Sequence, residues 1–142
     1  MNIVVITAGG LIPEEPLGVL PAGTAVRRVA VSGLERPGPD TLLIPLPDGL
    51  IARWARVVNT RARRSVVLRM LVRISPLDAG ASFWRAVRRD ARVAAFMDQA
   101  DLLVAADRDA NYACWHLARK TTIPAVSGYS AAKKELQRRT AE

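Results

Sequence analysis

The sequence predicts an α/β fold: a single Rossmann-like, mostly parallel sheet of about five strands with helices on both faces. Three observations predict it. Residues 2–7, Asn-Ile-Val-Val-Ile-Thr, form a continuously apolar, β-branched run that closes on Ala8-Gly9-Gly10. A second such run, Asp101-Leu-Leu-Val-Ala-Ala106, leads directly into the polar turn Asp107-Arg108-Asp109. Between and after these runs lie stretches whose apolar residues recur three or four apart. Unalternating apolar runs are what strands buried on both faces require. Strands separated by helices join in parallel through right-handed crossovers. A chain of 142 residues, 50% hydrophobic and 24% charged, is long and apolar enough for one ordered domain over 1–142.

Residues 11–23 contain Pro13, Pro16 and Pro21 and two glycines, which rules out an ordinary crossover helix and predicts an extended loop. Residues 24–32, with Val26, Val29 and Val31, form a second strand, and 33–39 a turn-rich connector. Residues 41–46 form a third, stopped by Pro47-Asp48-Gly49. From 50 to about 75 the spacing of Ile51, Trp54, Val58, Ala62, Val66 and Met70 predicts a helix. A second helix is expected over 79–99, with Asp78 as N-cap, Phe83, Trp84, Val87, Ala91 and Ala94 inward, and Arg85, Arg88, Arg89 and Arg92 outward. After the strand at 101–106 come a helix over 110–120, a short strand over 123–127 whose proline suits an edge or a strand start, and a last helix over 130–139.

Several function classes are disfavoured by composition. No apolar run reaches the roughly 18 residues that span a bilayer, and the start lacks the basic leader of a secretory signal. A cytoplasmic protein is expected, with peripheral contact at the inner membrane face left open. Cys114 is the only cysteine and His116 the only histidine, so no internal disulfide can form and no metal or cofactor is expected. The net charge of +8 is concentrated: residues 50–92 hold eleven arginines against Asp78 and Asp90, while the rest of the chain carries ten basic and eleven acidic residues. Arg53, Arg56, Arg63, Arg64, Arg85, Arg88, Arg89 and Arg92 thus form a candidate anionic-partner surface. A coding bias toward arginine, an acidic membrane beside Trp54, Phe83 and Trp84, and a nucleic acid all place these residues outward. No helix-turn-helix, RNA-binding sheet motif or zinc finger accompanies them.

Open parallel sheets bind ligands at the carboxyl ends of their strands, where loop amides and helix N-termini converge. The candidate ligand-binding residues are therefore Thr7, Gly9 and Gly10 after the first strand, Asp107, Arg108 and Asp109 after the fourth, and Ser127 after the fifth. Gly9-Gly10 lacks the spacing of a dinucleotide fingerprint or a P-loop, and also suits a plain tight exit from a strand. Of Asp107 and Asp109, one is expected to cap the following helix, leaving the other for a hydroxyl or for Arg108. Cys114 shares a helix stripe with Ala110, Leu117 and Ala118 and reads as buried and inert. His116 reads as a surface or half-buried residue, two positions from Cys114 and so unable to form a dyad with it.

Phe83-Trp-Arg-Ala-Val-Arg-Arg-Asp90, Ala100-Asp-Leu-Leu-Val-Ala-Ala-Asp-Arg-Asp-Ala110 and Trp115-His-Leu-Ala-Arg119 together resemble the N-terminal, Rossmann-like half of bacterial GT-B glycosyltransferases. The likeness is carried by residues 83–119 and elsewhere by element order. It implies an acceptor-side domain. In that family the sugar-nucleotide donor is held mainly by a second Rossmann-like domain, so the resemblance implies a second domain or partner subunit and carries over no donor-binding residue. Two other classes stay open: a non-catalytic interaction or regulatory module with a basic surface, and a nucleic-acid-binding protein. Whether the chain is an enzyme is not decided by these residues.

Overall fold

A computed structural model describes residues 1–9, 17–32, 38, 40–46 and 78–141. The elements are β1 (Asn2–Thr7), β2 (Ala25–Val31), β3 (Thr41–Ile44), α1 (Ala79–Val87), α2 (Ala91–Met97), β4 (Leu102–Ala105), α3 (Arg108–Thr121), β5 (Ala125–Ser127) and α4 (Tyr129–Ala141). They build the expected α/β architecture, one open sheet in the order β3-β2-β1-β4-β5. Every neighbouring pair is parallel. The predicted helix over 50–75, with Arg53, Arg56, Arg63 and Arg64, and Gly10 lie outside the described residues.

The apolar runs behave as strands covered on both sides. Val4 and Ile6 of β1, with Leu103 and Ala105 of β4, face a core closed by Phe83, Trp84 and Val87 of α1, Val93 and Met97 of α2, and Ala113, Cys114 and Leu117 of α3. Ile3 and Val5, with Leu102 and Val104, face a second core closed by Leu17 and by Ala132 and Leu136 of α4. Period-two alternation thus divides one continuous run between two cores. Proline 124 precedes β5, which lies at a sheet edge, and Pro124 O accepts from Leu103 N at 2.9 Å. In the described part of the long β1–β2 connection, residues 17–24 contain no helix, as their composition predicts.

The helix expected over 79–99 is two. Asp78 caps α1 as predicted, accepting from Gly80 N at 2.9 Å and Ala81 N at 3.2 Å. The chain then turns through Arg88 and Arg89, and Asp90 starts α2 as a second N-cap, accepting from Arg92 N at 3.0 Å. The restart changes the helical phase. Ala91 and Ala94, expected inward, are exposed, and Val93 and Met97 are buried in their place. Aspartate competes with the backbone for amide hydrogens, so it interrupts helices as readily as it begins them. Arg92, held by Asp90 at 2.6 Å, also donates to Leu43 O at 3.2 Å, satisfying a carbonyl of the edge strand β3.

Helix α3 ends on Thr122, the one non-glycine in the left-handed region among the described residues, at φ 59° and ψ 12°. A left-handed cap suits glycine, and a β-branched residue there is strained. Thr122→Gly is therefore expected to stabilise the fold by about 0.5–1 kcal/mol, even after the extra freedom of glycine in the unfolded chain is counted. Urea denaturation of the two proteins checks the sign.

Candidate functional site

Strand order reverses between β1 and β4, the topological position at which ligands bind in open α/β sheets. The apolar run of β4 ends at Ala105, and Asp107 follows as the N-cap of α3, its Oδ1 accepting from Ala110 N at 2.9 Å. Its other oxygen, Oδ2, is turned onto β1. It accepts from Thr7 Oγ1 at 2.7 Å, Ala8 N at 2.8 Å and Gly9 N at 3.0 Å. One carboxylate thus caps a helix and gathers the donors of the neighbouring strand's exit turn. Thr7, 1% exposed, is the only buried polar residue among those described. Burial raises the Asp107 pKa, and the bonds from Thr7, Gly9, Ala110 and Ala8 together outweigh it, leaving the acid below the ordinary value of 3.8.

Sequence reasoning placed Thr7, Gly9 and Asp107 at one edge, and the structure brings them into direct contact. It also selects the cap. Asp107 takes that role, and Asp109 lies in the first turn of α3, where it favours the positive end of the helix. The Asp109 backbone abuts α1: a Cβ on Gly80 would stand 2.9 Å from Asp109 O. Arg108 is exposed on the first turn, and Ser127 is exposed at the end of β5 beside Ala105.

Asp101 was legible only as the start of a strand. Its Oδ2 accepts from Asn2 N at 2.7 Å, so β1 is tied to the β4 segment by an aspartate at each end. The signal in the sequence was a pair of aspartates bracketing a four-residue buried strand.

The remaining features lie away from this edge. His116 stacks on Trp84, with ring centroids 4.6 Å apart and planes 5° from parallel, and Tyr112 and Trp115 meet it edge-on at 4.6 and 4.7 Å. Burial, then Arg119 and Lys120, lower its pKa from 6.5. These contacts make it a structural ring, in keeping with its half-buried position. Cys114 is buried, and burial raises its thiol to about 12, so it is inert as expected. On α3 Tyr112 and Trp115 are 46% and 51% exposed, with Arg119 over the Trp115 ring at 4.7 Å.

Of the described arginines proposed for an anionic surface, Arg88 and Arg89 are exposed, Arg85 bonds Ser82 Oγ at 2.9 Å, and Arg92 is held by Asp90. Arg89 lines an open cleft of ≈ 430 Å³ with Ile44, Pro45, Leu46, Ala86, Asp90 and Ala91, at the end of β3. Among the described residues no group of three metal-ligating side chains exists, and no helix is long and apolar enough to cross a membrane.

Fold and edge together define an open, parallel, Rossmann-like α/β unit. Comparison with known proteins finds no matching family model, no matching curated protein and no matching solved structure.

Proposed function

We propose that this chain is the acceptor-side, Rossmann-like half of a glycosyltransferase, working with a second domain or partner subunit that holds the sugar-nucleotide donor. The observation that carries this reading is the seat of Asp107. In phosphate-binding members of this architecture the amides of the first strand's exit turn face the ligand. Here the Ala8 and Gly9 amides and the Thr7 hydroxyl already serve a carboxylate. A nucleotide phosphate at that position would lose those donors and meet a like charge. The reading therefore assigns the donor elsewhere and leaves this edge, with exposed Arg108 and Ser127, to the acceptor. The exposed Arg88 and Arg89 suit an anionic acceptor or a membrane that carries one.

Purification from the native host followed by mass spectrometry tests the proposal. The expected companion is a second Rossmann-like chain, or a longer product of the same gene, and the reconstituted pair is expected to turn over a sugar nucleotide that the isolated chain does not bind. Recovery without such a companion, together with inactivity toward sugar nucleotides, would count against it. Recovery with nucleic acid, in a complex that weakens steeply with salt, would favour the nucleic-acid reading.

A further inference from the structure

The sheet face that carries α4 changes character along one row of residues. Register places Thr41 of β3, Arg28 of β2, Val5 of β1, Val104 of β4 and Val126 of β5 side by side. Val5 and Val104 belong to the core under α4, while the other end of the row is a cation and a hydroxyl. Both converge on one glycine. A Cβ on Gly38 would lie 3.3 Å from Arg28 Nη1 and 3.6 Å from Thr41 Oγ1. Tyr129, the first residue of α4, packs on the same core, and its hydroxyl is within electrostatic reach of Arg28 and Asp107.

Three polar atoms in this region are buried and unpartnered: Arg28 Nε, Thr41 Oγ1 and Tyr129 OH. The three residues are half-buried, but donor atoms that are themselves buried are almost always paired, because an unmatched one loses its hydration for nothing. Among the described residues no carboxylate pairs with Arg28. All three groups can donate, and one bears a permanent positive charge. What they lack is an acceptor.

We propose that Arg28, Thr41 and Tyr129 form a binding site for a phosphate-type oxyanion, free or carried on a small molecule. Arg28 supplies the charge and an N–H from its fork, and the two hydroxyls donate to further oxygens. This site uses none of the donors that Asp107 takes and does not depend on the transferase reading.

The test is a titration of the full chain with inorganic phosphate at constant ionic strength, read by NMR from arginine Nε–Hε signals and from the Cζ signals of the two tyrosines. Saturable binding is expected to move one Nε–Hε signal, missing from the Arg28→Lys protein, and the Tyr129 signal while leaving that of Tyr112 in place. Arg28→Lys is expected to weaken binding by about tenfold or more. The near-isosteric Tyr129→Phe and Thr41→Val should weaken it less, and Arg88→Gln with Arg89→Gln should not change it. Titration without saturation, equal binding by Arg28→Lys, or loss of binding in the Arg88 and Arg89 variants would overturn the assignment. A sugar phosphate that competes with inorganic phosphate would identify a carried group, and failure to compete would assign the site to the free ion.

Discussion

Asp107→Ala is expected to destabilise the fold by about 3–5 kcal/mol. The substitution removes the cap of α3, worth about 1 kcal/mol. It also strands the Thr7 hydroxyl, which is 1% exposed, and the amides of Ala8 and Gly9, each unmade bond costing about 1–3 kcal/mol where water cannot replace it. Asp107→Asn should lie between the two, since one amide oxygen can accept while the NH₂ group opposes whatever donor it faces. Chemical denaturation at neutral pH measures both.

The same carboxylate makes stability depend on acid in a defined direction. Its folded-state pKa is depressed below 3.8, so the unfolded chain binds the proton more readily. The contribution is fully present above the unfolded value and is lost as pH falls through the folded one. His116 acts in the same sense at higher pH: its lowered pKa makes the folded state the poorer proton acceptor, so stability declines as pH drops below 6.5. Two steps of acid sensitivity are expected; Asp90 and Glu135, whose carboxyls are also held low by neighbouring arginines, share the lower one, and Asp107→Ala should shrink it.

Trp84→Ala carries the second large effect, a loss of about 3–4 kcal/mol. The indole is buried between α1 and α3, stacked on the His116 ring, with the Lys120 ammonium 5.3 Å from its centroid. Its removal leaves a cavity and bares His116, whose pKa should rise toward 6.5 because burial is the main cause of its depression. The chain has one histidine, so a single NMR signal reports that change. A lost midpoint without movement of that signal would mean that Trp84 supports the core but does not shield the ring.

Strands and their pairing sense were legible because burial on both faces leaves no room for polar alternation, as β1 and β4 show. That Thr7, Gly9 and Asp107 share one sheet edge was legible because parallel topology fixes which ends of the strands meet. The contact between them was not, since nothing in a local sequence window says that a helix cap also reaches a strand about a hundred residues away. The division of 79–99 into two helices was hidden for a related reason. The apolar spacing continues through Arg88-Arg89-Asp90, and only the capping bond of Asp90 resets its phase. Arg28 was read simply as a strand residue. Its unpartnered Nε and the unpartnered hydroxyl of its strand neighbour Thr41 become visible only once β2 and β3 are paired.

Through Asp107 the exit of β1 is fastened to the start of α3, and a pH titration of backbone amide shifts tests this bracket most directly. The amides of Ala8, Gly9 and Ala110 should titrate together, with one shared midpoint below 3.8, because all three donate to the same carboxylate. Independent midpoints, or a shared one at or above the ordinary carboxylate value, would contradict it.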